Sequence, residues 1–286
     1  MIGVAGATGG LGGRIAARLA ERGIEQRLIV RDPARAPSHP GAEVAQAAGY
    51  DDAEAMRRAF DGVDVLFLPS AGEHPDRVNA LHRPAVEAAV AAGVERLVYT
   101  AFLGAAPDCV FTFGRDHFHT EEIVRGSGMG WTFLRDSIYL DFVPFFAGAD
   151  GVIRGPAGDG RVAAVARDDI ADVALAALLE PGHEGQAYEL SGGEAFTMTE
   201  AAEIITRETG REVRFVNETL EEARESRRPS GAPDWEIEGW VTTYAAIAAG
   251  ELDVVSDVVS RVAGHEPITL AELLEADPST WAHLRA

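Results

Sequence analysis

The first twelve residues, Met1 to Gly12, restrict this chain more than any other stretch. A short apolar run, Ile2 to Ala5, enters a turn carrying Gly6, Gly9 and Gly12, and an alanine-rich pattern from Arg14 to Gly23 has helical spacing. Strand, glycine turn and helix in direct succession form the setting of a dinucleotide-binding fingerprint. One glycine lets the chain turn tightly, another lets the backbone approach a pyrophosphate, and a third lets helix and strand pack closely. The helix start then offers free N–H groups and the positive end of its dipole to phosphate oxygens. The turn predicts nucleotide binding; its plainer reading is a glycine-rich corner of an α/β protein.

The same rhythm continues. Gln26 to Arg31, Ala42 to Gln46, Val63 to Leu68, Arg96 to Ala101 and Gly128 to Arg135 read as further strands, separated by helical patterns over 53–60, 75–92 and 114–126. The fourth run is nearly all apolar, as suits a parallel strand buried on both faces. Such alternation predicts an α/β fold with a Rossmann-like doubly wound parallel sheet. Past Arg135 the rhythm breaks. Asp136 to Phe146 is rich in aromatics, and 148–160 is a glycine-rich connection. Val162 to Ala166 and a helix from Asp169 to Leu179 are expected to return to the main sheet, with Gln186 to Leu190 as another strand. A threonine-capped helix ends at Thr209, a short strand covers Val213 to Val216, and an acidic helical segment covers 218–262. The predicted division is 1–135 plus 161–190 as the nucleotide-binding domain. Residues 136–160 plus 191–286 are expected to form a smaller C-terminal α/β lobe over the carboxyl edge of the sheet.

Composition narrows the function. Forty-six acidic residues against 25 basic ones give a net charge of −21. Nucleic acids and anionic membranes want a positive surface, so neither is the expected partner. No apolar run is long enough for a membrane span, and no signal peptide is expected. The single cysteine, Cys109, excludes an internal disulfide and fits the cytoplasm. Every basic residue is arginine, and lysine is absent. That removes Schiff-base chemistry and any Tyr-x-x-x-Lys pair. At the end of the second strand, Arg31 stands beside Asp32 and Pro33, with Arg35 close behind. A guanidinium there forks onto a 2′-phosphate and favours NADPH, whereas Asp32 would suit the ribose of NAD.

Five stretches together carry a family likeness: Gly6-Ala-Thr-Gly-Gly-Leu-Gly12, Val30-Arg-Asp-Pro33, Ala92 to Thr100, Thr132-Phe-Leu-Arg135 and Tyr188-Glu-Leu-Ser-Gly192. The chain resembles the NmrA-like atypical short-chain dehydrogenases, and within them the bacterial type-2 NAD(P)H:quinone oxidoreductases. The resemblance implies a site for NADPH (NADP+). It places the pyrophosphate on the glycine loop, with Gly6, Thr8, Gly9, Gly10, Leu11 and Gly12, and the 2′-phosphate on Arg31. It puts adenine against Gly49 and Tyr50, and the ribose and nicotinamide by Ser70, Ala71, Thr100 and Ala101. Asp136, Ser137 and Tyr139 would flank the nicotinamide. The chain departs from its relatives at Gly49, where an acidic residue is common, and in its acid–base machinery. Phe113 falls at the tyrosine position of the usual pair and His117 at the lysine position.

A phenylalanine cannot donate a proton, so His117 is the first candidate acid, because an ordinary imidazole titrates near working pH. Glu121, at i+4 on the same helix face, is expected to orient it. The other reading of His117 is a hydrogen bond to the nicotinamide ribose or carboxamide. His117 and His119, at i and i+2, point apart on a helix, so no metal is expected. Tyr139 is the second candidate donor, or else a pocket wall. Trp235, Trp240 and Tyr244 read first as lobe core and second as pocket lining. The expected function is an NADP(H)-dependent oxidoreductase passing hydride to a quinone or similar flat carbonyl. Its alternatives are an NADP(H)-sensing regulator and a ketoreductase-type tailoring enzyme. A small-molecule substrate is expected, with a homodimer or a protein partner as a further possibility.

Overall fold

The strand that precedes the glycine turn, β1 (Ile2–Ala5), is buried along its whole length. The computed structural model describes residues 1–72 and 74–285. After β1 come α1 (Gly10–Glu21), β2 (Gln26–Val30), β3 (Ala42–Gln46), α2 (Ala53–Phe60), β4 (Val65–Leu68), α3 (Arg83–Ala92), β5 (Arg96–Phe102), α4 (Thr112–Gly126) and β6 (Gly130–Asp136). The later elements are β7 (Val152–Gly155), β8 (Arg161–Val162), α5 (Arg167–Leu179), β9 (Gln186–Leu190), β10 (Phe196–Thr197), α6 (Met198–Thr209), β11 (Arg214–Asn217), α7 (Leu220–Arg227), α8 (Asp234–Ala248) and α9 (Leu270–Ala276).

Seven strands form one sheet in the order β3-β2-β1-β4-β5-β6-β9. Pairing is parallel from β3 through β5, with Ile2 opposite both Gln26 and Val65. The order reverses between β1 and β4, and such a switch point opens the crevice where α/β sheets bind ligands. A Rossmann-like doubly wound fold is therefore the observed architecture.

The chain divides into two compact units. The first holds 1–102, 116–135 and 167–188, and the second holds 103–115, 136–166 and 189–286. Three stretches differ from the sequence-based division. Residues 103–115, 161–166 and 189–190 belong to the second unit. Val162 to Ala166 has the apolar look of a sheet strand and is buried. Its partners, however, are other second-unit segments. Arg161 and Val162 pair antiparallel with β10, and Val165 bridges to Tyr139. The glycine-rich connection is also not structureless, because β7 within it pairs in parallel with β11.

In the first unit the core lies around β4 and β5, where Phe60, Phe67, Leu97, Tyr99 and Phe133 are fully buried. Helix α1 packs on α5. Arg14 and Arg18 of α1 bond the carboxylates of Asp168 and Asp172 at 2.7–3.0 Å. In the second unit, α6 and α9 begin with reciprocal threonine–glutamate caps, Thr197 with Glu200 and Thr269 with Glu272. Helix α7 has the same arrangement, Thr219 with Glu222.

Candidate functional site

The turn after β1 is built by steric necessity. Gly6 has φ +65°, a left-handed conformation that favours glycine. A Cβ on Gly12 would overlap the Gly6 carbonyl, so α1 and β1 approach as closely as they do only without one. Gly9 is the N-cap of α1 and brings no side-chain cap, which leaves the first-turn N–H groups to an incoming anion. Thr8, Gly9 and Gly10 are exposed, whereas the Leu11 side chain is buried in the core, so only its backbone faces outward chemistry.

Beside this turn the first unit encloses a cavity of about 460 Å³. Of the sequence-predicted site residues, Gly6, Thr8, Gly9, Arg31, Gly49, Tyr50, Ser70 and Ala71 all line it. Gly10, Leu11 and Gly12 lie behind that lining, in the first turn of α1. Thr100 and Ala101 are buried in β5. Asp136, Ser137 and Tyr139 belong to the second unit.

The loop after β4 is fixed from behind. The Thr100 hydroxyl accepts from Ser70 N at 2.8 Å, and the Tyr50 hydroxyl donates to the Pro69 carbonyl at 2.7 Å. His82, 1% exposed, accepts from Ala71 N through Nε2 at 3.0 Å. Its Nδ1 lies 2.7 Å from the Thr120 hydroxyl, which spends its own proton on the Asp116 carbonyl at 2.8 Å. Nε2 also lies 3.0 Å from the Ala71 carbonyl, so the ring is held to both polar groups of that peptide. Burial pushes the His82 pKa down to about 4, against an opposing bond to the Ala71 backbone and with help from the Arg77 charge. His82 is thus a neutral strut. Arg77, 4% exposed, bonds Asp116 at 2.9 Å and reaches the Gly72 carbonyl at 3.3 Å.

His117 does not behave as its sequence setting suggests. Burial first, then the nearby His82 and Arg77, push its imidazole down to about 3, against a bond to the Thr100 backbone. A shift in that direction favours the neutral ring and weighs against His117 as a ready proton donor. Nor does Glu121 orient it. Both Glu121 oxygens are taken by Arg135 at 2.7–2.8 Å, and Arg125 bonds one of them. The partner of His117 Nδ1 is instead the Tyr99 hydroxyl, at 3.3 Å. Phe113 lies in the second unit, against Trp235, and fills the space over Gly239 that a Cβ would occupy. The Phe113–His117 spacing thus marks no paired acid and base.

Three residues of this region escaped sequence reasoning. His82 and Arg77 sit in unremarkable helical sequence, and only their tertiary partners distinguish them. Arg167, which opens α5, lies so close to Gly10 that a Cβ there would overlap its guanidinium. It brings a positive group to the glycine turn from 157 residues along the chain.

In the second unit, Asp136 ends β6 with its carboxyl buried. Oδ2 accepts from the Tyr139 hydroxyl at 3.2 Å, while Oδ1 and the neighbouring Ser137 Oγ are buried without a partner among the described residues. Burial raises the Asp136 pKa well above the carboxylate range, although the bond from Tyr139 works against it. Tyr139 stacks on Phe142, with ring centroids 5.6 Å apart. A cavity of about 510 Å³ in this unit is lined by Phe145, Phe146, Trp240, Tyr244 and Arg227 among others. Tyr244 is buried and Trp240 about one-third exposed, so the first is core and cavity wall together and the second is wall. Trp235, half-buried, packs against Phe113.

A parallel sheet with this strand order, a glycine turn and a cavity at its switch point defines a dinucleotide-binding α/β protein. The chain belongs to the NAD(P)H-binding family, whose model matches residues 6–181. It is 34% identical over 285 residues to the NAD(P)H azoreductase of Xenophilus azovorans, covering 98% of this chain and 99% of that one. It is also 34% identical to quinone oxidoreductase 2 of Escherichia coli, over 95% of this chain and 96% of that one. The E. coli NADPH-dependent quinone oxidoreductase in complex with NADPH superimposes with a TM-score of 0.87 at 33% identity, over 96% of this chain and 99% of that chain. The chain is an NAD(P)H-dependent oxidoreductase. Among the described residues, no helix is long and apolar enough to cross a membrane.

Proposed function

We propose that this protein uses NADPH to reduce quinones and similarly flat carbonyl or azo compounds. The carrying observation is the cavity at the β1/β4 switch point, which opens from the glycine turn and has Arg31 on its wall. The residues fit a phosphorylated dinucleotide. The turn offers backbone N–H groups where a side chain would collide, and Arg31 offers a fork for a 2′-phosphate. Gly49 and Tyr50 face the adenine, and Ser70, Ala71, Thr100 and Ala101 the ribose and nicotinamide. His117 acts as a neutral hydrogen-bonding group. By the family resemblance, Asp136, Ser137 and Tyr139 flank the nicotinamide. When bound, NADPH supplies the hydride. The protein holds donor and acceptor in register and keeps water away. The aromatic cavity of the second unit, with Arg227 over the Tyr244 ring, suits a flat acceptor. The single buried cysteine suits a reducing cytoplasm.

A second reading, a nucleotide sensor with a protein partner, draws support from the neutral His117. Mixing the protein with NADPH and 1,4-naphthoquinone or methyl red, and following reduced-nicotinamide absorbance, separates the two. Turnover with either acceptor supports the reductase. Tight NADPH binding without turnover of either overturns it and favours the sensor.

A further inference from the structure

Two aspartates precede α2, and the helix uses only one of them. Asp52 is its N-cap, with a carboxylate that accepts from Ala55 N at 3.0 Å. Asp51 is exposed and lines the nucleotide cavity, whose described lining residues all belong to the first unit. Its carboxylate lies over the α-carbon of Gly49, where a Cβ would overlap Oδ1. Among the described residues, Asp51 takes part in no hydrogen bond or ion pair.

The cavity wall around Asp51 is otherwise apolar or already engaged. Ile29, Ala47, Ala48 and Met56 bring hydrocarbon to it. The Tyr50 hydroxyl donates to the Pro69 carbonyl, so Tyr50 offers a ring face and not a proton. Ala47 N donates to the Val30 carbonyl, and the Gly49 carbonyl accepts from Asp52 N. Among the described lining residues, Asp51 is the one carboxylate and Arg31 the one guanidinium. A mostly apolar wall with few polar groups takes a flat ring and orients it by those groups. A carboxylate accepts hydrogen bonds and donates none, so it selects a ring whose edge carries an N–H donor.

We propose that Asp51 reads the base of the nucleotide by accepting from the exocyclic amino group of adenine. Residue 49 is glycine because a side chain there would occupy the space of that carboxylate. This inference rests on the NADPH reading and deepens it. Adenine presents an amino donor at C6, whereas hypoxanthine presents a carbonyl oxygen at the same place. Facing Asp51, the amino group gains a charge-assisted hydrogen bond, and the carbonyl meets negative charge with nothing to donate. Arg31 and Asp51 thus read different parts of one ligand, the 2′-phosphate and the base.

The test is the Kd of NADPH and of reduced nicotinamide hypoxanthine dinucleotide phosphate, titrated by nicotinamide fluorescence. Wild type should bind the hypoxanthine nucleotide about tenfold more weakly, the lower end for a hydrogen bond to a charged group because Asp51 is exposed to solvent. Asp51→Ala should weaken NADPH by about tenfold and the hypoxanthine nucleotide by less than about twofold, so that the preference disappears. Gly49→Ala should displace the carboxylate and shrink the preference to below about threefold. Arg31→Ala should weaken both nucleotides alike and keep the preference. Equal weakening of both nucleotides by Asp51→Ala would make Asp51 a support for α2 and overturn the proposal. A full preference retained in Gly49→Ala would overturn the reason given for the glycine. NADPH binding without any base preference in wild type would overturn the proposal and leave the NADPH reading standing. If wild type binds neither nucleotide, the NADPH reading fails and the proposal falls with it.

Discussion

The loop after β4 and the turn after β6 both follow sheet strands and both carry buried polar groups, yet they are finished differently. Around Pro69 to Gly72, each anchoring group has found a partner: Thr100 holds Ser70, His82 holds Ala71, and Tyr50 holds the Pro69 carbonyl. At Asp136 and Ser137, two buried oxygens have none. A buried polar atom left unpaired costs about 1–3 kcal/mol. Paired groups make a loop rigid before a ligand arrives, which lowers the entropy lost on binding. Unpaired ones are tolerated where a ligand or a proton completes them. The first region is thus a preformed seat, and the second carries an uncompensated burial cost.

That contrast breaks most violently at the glycine turn. Gly12→Ala forces a methyl group into the Gly6 carbonyl, where backbone rather than side chain must move. We expect a loss of about 3 kcal/mol in urea unfolding and no measurable NADPH binding. Gly13→Ala is the control, because its Cβ would lie 3.3 Å from the Ala7 carbonyl and needs only a small adjustment. Equal damage in both would show that helix content, not close approach, governs the turn.

The seat loosens next at His82. His82→Ala strands the Ala71 N–H and the Thr120 hydroxyl, and should lower stability by about 2 kcal/mol and weaken NADPH by about tenfold. The neutral ring also carries a pH signature. Its folded pKa is depressed from 6.5 to about 4, so its contribution is present above pH 6.5 and is lost as pH falls toward 4. The change amounts to about 3 kcal/mol. Unfolding midpoints measured between these two pH values should slope less in His82→Gln than in wild type. Parallel slopes would mean that the ring is not buried neutral.

Much of the frame was legible along the chain because parallel strands buried on both faces are short apolar runs. Ile2 to Ala5, Arg96 to Ala101 and the glycine turn needed no tertiary knowledge. Arg31, Tyr50 and Ser70 were legible because each follows a strand end. Val152 to Gly155 was not, since it lies among glycines and its partner, β11, is some 60 residues on. Val162 to Ala166 misled because burial leaves the same apolar imprint in either unit. The surroundings of His117 were not legible, because desolvation is a property of the fold and not of helix spacing. His82 and Arg167 left no local trace at all. Their meaning lies in Ala71, Thr120 and Gly10, brought to them by the fold.

Arg31 sharpens the seat's choice of ligand. It lines the cavity from the end of β2, where the ribose of a bound dinucleotide lies in this fold. Arg31→Ala should weaken NADPH by about 10- to 100-fold, the worth of a charge-assisted phosphate contact, and NADH by less than about threefold. Titrations followed by nicotinamide fluorescence would check this. An equal loss for both nucleotides would move the 2′-phosphate to another residue, with Arg35 as the next cation along the chain.

The smallest effect on the fold is expected where the second unit opens its aromatic cavity. Phe145 is 52% exposed, and its ring stacks on His283 with centroids 4.8 Å apart. Removing so exposed a ring costs little apolar burial, so Phe145→Ala should change stability by less than about 0.5 kcal/mol. If the cavity receives the flat acceptor, the same variant should raise KM for naphthoquinone about fivefold, since a stacking contact is worth about 1 kcal/mol. It should leave the NADPH Kd unchanged, because the nucleotide cavity is lined by first-unit residues. Steady-state kinetics at saturating NADPH would measure this. A raised NADPH Kd with an unchanged quinone KM would reassign Phe145 to the cofactor. An unchanged KM for naphthoquinone and methyl red alike would remove this cavity from the acceptor's path and leave Tyr139 and Phe142 as the aromatic surface to test.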